Sequence, residues 1–360
     1  MSVVNSVAPR LGELYSHTAI RGFAALSVVG FHALGALVGE GYTGSHLQNF
    51  FLNSFIFVDF FFMLSGFIMF ENYGHKIEGP KVFAKSVQYW KKRCQKILPN
   101  YYFWLIIGML LTILKGIYTG EISETNACML NSTFRHLFLI QNLAGFSCYY
   151  FNFPLWSIAV EIIGYLLFPL IIVLRTNFLT ILSTGIFLYL LVFIFSDTIN
   201  VVYSELSVTR CLAGFLCGIA AAKIPRFKLH NLFQITLVFL LIGMVGLGYQ
   251  PLAILLMFII TLATANNSGI IGKISQTKLP YFIGRASFSI YLAHFPVAIV
   301  LRELNSKVEA TTGIPVGTDW RINLPLVVLI SGVVGIFAYA FVERRFETIF
   351  SKRKAQLERV

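Results

Sequence analysis

Charge is what this sequence has least of. Asp, Glu, Lys and Arg together make up 12% of its 360 residues, about half the share found in soluble domains, and so thin a polar coat excludes a water-soluble globule. Acids are the scarcer sign, 16 against 28 bases, for a net charge of +12. That excess does not read as nucleic-acid binding, because the bases sit in loops between apolar runs and form no face interleaved with aromatics. No period of roughly 20 to 50 residues repeats and no low-complexity tract occurs, which excludes solenoids and arrays. The N-terminus lacks a short apolar core followed by a small-residue cleavage site, and the expectation is that no leader is removed. No metal is expected.

What is present is apolar length. Hydrophobic residues reach 57% and aromatic residues 15%, with 35 Phe, and the mean hydropathy is +0.75. Stretches long enough to cross about 30 Å of hydrocarbon lie near 18–39, 50–70, 100–118, 154–174, 178–196, 208–222, 231–248, 250–266, 282–301 and 323–343. They predict an all-α integral membrane protein of about ten transmembrane helices, a single domain over 1–360 with a short tail at 1–17 and a basic tail at 344–360. Lys and Arg accumulate in cytoplasmic loops. With the N-terminus inside, 22 of the 28 bases fall on the inner side, so both termini are expected in the cytoplasm. The longest outer loop, about 116–153, holds Cys128 and Cys148, which in an oxidising compartment either pair or stay free. Cys94, Cys211 and Cys217 fall in the cytoplasm or the membrane.

Ionisable groups within hydrocarbon are costly and mark pathways or active sites. Arg21 and His32 stand eleven residues apart in the first span, a rise of about 16 Å and roughly three full turns, so they share one face. Arg21 would lie at the cytoplasmic end, suited to an anion, and His32 near mid-membrane, suited to moving a proton. Asp59, Glu161 and His294 reach similar depths, about 10 to 15 Å from the ends of their spans. Ser157, Glu161 and Tyr165 follow at intervals of four and share a face. Structural readings stand beside these. His294 could bond a carbonyl freed by Pro296, and Asp59 and Glu161 could be structural partners of Arg21, Arg210 or a histidine. The inner-loop bases Lys91, Lys92, Arg93 and Lys96 either mark topology or seat a phosphate-rich ligand such as a coenzyme A nucleotide. Gly35 with Gly39 and Gly214 with Gly218 have the spacing of close helix packing.

Arg21 to His32 is similar to the R-x10-H signature of the integral membrane acyltransferase 3 family, whose members decorate surface glycans with small acyl groups. Val58-Asp59-Phe60-Phe61-Phe62-Met63-Leu64-Ser65-Gly66-Phe67 resembles that family's aromatic S-G-F stretch, and Arg93 to Tyr101 its R-x-x-R-I-x-P-x-Y segment, with Lys96 in place of the second arginine. Trp156 to Glu161 resembles its W-S-x-x-x-E, and Ser287 to Pro296 its S-x-S-x-Y-L-x-H-x-P. The likeness runs from Arg21 to about Glu343. The extra extracytoplasmic hydrolase-like domain of some relatives is not found.

The resemblance implies an acyl-CoA donor, most simply acetyl-CoA, bound from the cytoplasm, and a glycan or lipid-linked glycan acceptor arriving from outside. Arg21, Arg93 and Lys96 would bind the donor, and His32 would act as general base or carry the acyl group, with Glu161 or Asp59 orienting it. Ser157, Tyr165, Tyr291, His294 and Arg210 would line the acceptor side. A bacterial inner membrane is the expected location, and lipopolysaccharide O-antigen or exopolysaccharide the leading acceptors. The rival reading is a secondary transporter or flippase with a His/Asp/Glu proton relay.

Overall fold

The computed structural model describes residues 13–37, 44–119, 126–143, 151–314, 316 and 319–357; Cys148, Gly39 and the first twelve residues lie outside them. The described elements are all helical: α1 (Tyr15–Leu37), α2 (His46–Leu52), α3 (Phe57–Ile77), α4 (Val82–Thr119), α5 (Asn126–Leu137), α6 (Leu155–Val173), α7 (Phe178–Ser196), α8 (Glu205–Lys223), α9 (Asn231–Gly246), α10 (Gln250–Thr264), α11 (Gly269–Ser275), α12 (Lys278–Thr312), α13 (Trp320–Ala338) and α14 (Arg344–Leu357). Short apolar runs capped by turn residues set the ends. The Asn177 side chain accepts from the Thr180 amide to open α7, that of Asp319 accepts from Arg321 to open α13, and Gly313 closes α12 at a φ of 69°.

Among the described residues eight helical segments are long and apolar enough to cross a bilayer, α2 with α3 and α13 with α14 each counting as one. The sequence predicts about ten, and the difference lies in α9 and α10. At 16 and 15 residues they rise only about 24 and 22 Å, short of the hydrocarbon thickness. After α10 the chain bends by 78° into α11; the pair taken together would make a ninth span. The C-terminal segment also departs from a plain basic tail: α13 runs through a π turn at Tyr339–Glu343 into α14, whose Arg, Lys, Glu, Ala and Leu residues favour helix.

Two backbone approaches position the centre of the bundle. A Cβ on Gly284 would collide with the Thr18 carbonyl and one on Gly22 with Gly284 itself, so α1 lies along α12 at contact distance. Gly218 likewise lets α8 meet the Met63 carbonyl of α3, which is the packing its spacing from Gly214 implies. Gly35 has no such neighbour and faces a cavity instead.

The described part of the connection between α4 and α6, residues 126–143, is tied to both helices. Tyr101 and Tyr102 of α4 donate to the carbonyls of His136 and Leu137 at 2.9 and 2.8 Å, and Gln141 Nε2 donates to the Leu155 carbonyl at 3.2 Å. Just beyond it, Asn152 Nδ2 donates to the Leu292 carbonyl at 2.9 Å, tying the start of α6 to α12. Cys128 is disulfide-bonded, whereas Cys94, Cys211 and Cys217 are free.

Candidate active site

The crossing of α1 and α12 brings His32 and His294 together. Their ring centroids lie 5.0 Å apart with the planes inclined by 34°. His294 is fully buried, and its Nδ1 meets the Tyr291 carbonyl oxygen at 2.5 Å. A carbonyl only accepts, so Nδ1 carries the hydrogen and Nε2 keeps its lone pair. That Nε2 is buried without a hydrogen-bond partner, which makes it a base with nothing yet to accept.

His32 is half-buried among aromatic rings, with Phe31, Phe153 and Phe295 at centroid distances of 4.9, 5.5 and 5.9 Å. It opens on a cavity of about 610 Å³, within the size range of small-molecule sites. Phe31, Phe153, Trp156 and Phe295 wall this space, and its polar side chains are His32, Asn200, Arg210, Tyr291 and Arg302. Among the described residues no acidic side chain lines it.

Tyr291, which lines the cavity, has its Oη 2.8 Å from Ser157 Oγ, and Ser157 also donates to the Pro154 carbonyl at 3.0 Å. Arg210 is held from every side. Its Nη2 reaches Asp59 Oδ2 at 2.6 Å and the Phe55 carbonyl at 3.2 Å, and its Nε reaches both Asp59 oxygens at 3.0 and 3.2 Å. The guanidinium packs over the Trp156 ring at 5.4 Å, and Tyr189 Oη donates to Asp59 Oδ1 at 3.3 Å. Both partners are buried, with side chains 1% and 0% exposed.

The sequence expectation that Asp59 or Glu161 orients His32 meets a different arrangement. Asp59 serves Arg210, and Glu161 Oε1 accepts from Ser65 and, at 2.6 Å, from Tyr165 Oη. The group that meets His32 is His294. Glu161, Ser65 and Tyr165 form a separate cluster one to two turns along α6 from Ser157, braced by Trp90 Nε1 donating to the Tyr165 carbonyl at 3.1 Å.

The cations expected in a loop before the third span lie within α4 instead, and two of them gather with neighbours. Arg93 donates to Tyr73 Oη at 2.8 Å and lies 4.9 Å over that ring, while its Nε is buried and unpartnered. Lys96 is within electrostatic reach of Arg93 and Arg21, and of Glu343 and Glu347. Beside them runs a chain that the sequence reading missed: Asn100 Nδ2 donates to Ser289 Oγ at 2.9 Å, and Ser289 donates to Glu343 Oε2 at 2.8 Å. A lone acid inside the last apolar run was the available signal for Glu343. Asn100 and Ser289, 189 residues apart, carried none. Among the described residues no group of three or more His, Cys, Asp or Glu could hold a metal ion.

Comparison with known proteins gives this arrangement a context. The model of a family described as an acyltransferase domain matches residues 14–343. An exopolysaccharide production protein, ExoZ of Rhizobium meliloti, is 27% identical over 304 residues, covering 80% of this chain and 87% of that protein. The O-acetyltransferase OatA of Staphylococcus aureus is 24% identical over 340 residues, covering 81% of this chain and 52% of OatA. A putative O-acetyltransferase of the same species, SACOL0978, is 26% identical over 311 residues, with coverages of 75% and 50%. The chain thus spans most of the first relative and about half the length of the two staphylococcal ones. No solved structure matches.

Proposed function

From the premise that this chain belongs to the acyltransferase 3 family, we propose that it is a membrane O-acyltransferase moving an acetyl group from cytoplasmic acetyl-CoA to a hydroxyl of a surface polysaccharide. The observation that carries the reading is the His32–His294 imidazole pair, 5.0 Å apart, of which His32 lines an aromatic-walled cavity, in a chain of an acyltransferase family. The name of ExoZ points to exopolysaccharide as the acceptor, and that of OatA to acetyl as the group moved. A carrier has no such support.

The acceptor hydroxyl binds in the cavity with its proton toward His32. As the imidazole accepts that proton, the hydroxyl oxygen attacks the thioester carbonyl, the new C–O bond forms and the C–S bond breaks. The thiolate then takes the proton and leaves as free coenzyme A. His294, with Nδ1 fixed on the Tyr291 carbonyl, holds the neighbouring imidazole position and offers Nε2 to the reacting groups. Arg21, Arg93 and Lys96 supply positive charge for the donor's phosphates. Both termini then face the cytoplasm of a bacterial inner membrane, and the cavity opens to the outside.

Glycans from cells expressing wild-type or His32→Ala protein at matched levels test this by mass spectrometry. Loss of base-labile acetyl groups with the variant is the expected result. Undiminished acetylation would remove His32 from the reaction.

A further inference from the structure

Arg210 and Arg302 are the cavity's two cationic side chains, and they differ in kind. Arg210 is neutralised in place by Asp59. Arg302 is not. Its Nη2 lies 3.5 Å from Glu303 Oε1, but that same oxygen is held more closely by Lys115 Nζ at 3.1 Å. One carboxylate therefore faces two cationic groups, an ammonium and a guanidinium, and balances only one of them. Lys307, one turn further along α12, adds another, packed over the Tyr118 ring at 4.6 Å. The side chains of Arg302, Glu303 and Lys115 are 47%, 43% and 46% exposed.

Arg302 follows His294 by eight residues on one helix, a backbone rise of about 12 Å, and Arg302 lines the same cavity as His32, whose ring lies beside that of His294. An acceptor hydroxyl at His32 and an oxyanion at Arg302 are thus held at two different places in one cavity. The aromatic wall between them, Phe153, Trp156 and Phe295, suits the C–H faces of sugars and carries no charge to repel an anion. Among the described residues no acid lines the cavity, so within it an anionic chain gains at Arg302.

We infer that the acceptor is an anionic glycan, with a carboxylate or phosphate on a unit adjacent to the one acylated, and that Arg302 selects it. This rests on the O-acyl transfer proposed above. The chemistry is that of an oxyanion; a uronate and a phosphodiester are its two sources.

The protein in nanodiscs, given acetyl-CoA, is assayed with base-deacetylated surface polysaccharide of its host, untreated, carboxyl-reduced, or stripped of phosphodiesters by hydrogen fluoride. One treatment is expected to lower kcat/KM about fivefold, the size of a half-exposed ion pair, and which one identifies the source. Arg302→Gln is expected to lower kcat/KM on the untreated polymer and to abolish the difference between polymers, while Arg302→Lys keeps it. The difference also shrinks with added salt. Equal turnover of all three polymers by the wild type, or the same difference in wild type and Arg302→Gln, overturns the inference and leaves O-acyl transfer standing. No acylation of the untreated polymer overturns both.

Discussion

Asp59 and Glu161 are both carboxylates inside the bundle, yet their partners give them different work. Asp59 forms a closed ion pair with Arg210, and removing one member of a buried pair leaves an unpaired charge at a cost of about 3–5 kcal/mol. Asp59→Asn is therefore expected to lower the thermal unfolding midpoint sharply, and the paired change Asp59→Leu with Arg210→Met to recover most of that loss. His32→Ala removes a half-buried ring at a cavity edge and is expected to leave the midpoint near wild type. Thermal unfolding of the detergent-solubilised variants separates the two cases. This distinction was only half legible in the sequence. Arg21 and His32 share a helix, so their spacing is informative, whereas Asp59 and Arg210 are 151 residues apart and nothing local pairs them. The meeting of His32 with His294 depends equally on how two distant helices cross.

At the scale of elements, the crossing at Gly22 and Gly284 sets that meeting. Gly284→Leu drives a branched side chain into the Thr18 carbonyl and must separate α1 from α12, so transfer activity and thermal midpoint are expected to fall together. A variant with full activity would show that the crossing does not position the histidines. In α5, burial holds the His136 imidazole below the usual histidine pKa, its hydrogen bond to the Ser132 carbonyl opposing this. Neutral His136 is thus favoured in the folded state, and its contribution is complete above the ordinary histidine range and lost as pH falls through it. Protection of the α5 amides, measured against the intrinsic exchange rate at each pH, should fall as the pH drops from 7 toward 5, and His136→Gln should flatten that dependence. The spans themselves were readable from hydropathy alone. The count of ten was not reached because α9 and α10 are short, and the bend after α10 was written in Asn266-Asn267-Ser268-Gly269, a turn signal with Asn267 at a φ of 57° and Gly269 at 74°.

Taken whole, the molecule places its chemistry at two levels. One is the cavity lined by His32 and Tyr291, with His294 against the first and Ser157 bonded to the second; the other is the gathering of Arg21, Arg93 and Lys96 with the Asn100–Ser289–Glu343 chain. Arg21 and His32 belong to both levels through one helix, and this is why the first span, with two costly polar groups, was the most informative piece of sequence. The direct test of the account is acyl transfer by purified protein in nanodiscs, with radiolabelled acetyl-CoA and deacetylated host polysaccharide. Wild type is predicted to move label into base-labile ester on the polymer, and His32→Ala, unfolding at the same temperature, to be slower by about 100-fold or more. Transfer by His32→Ala at the wild-type rate would contradict the account.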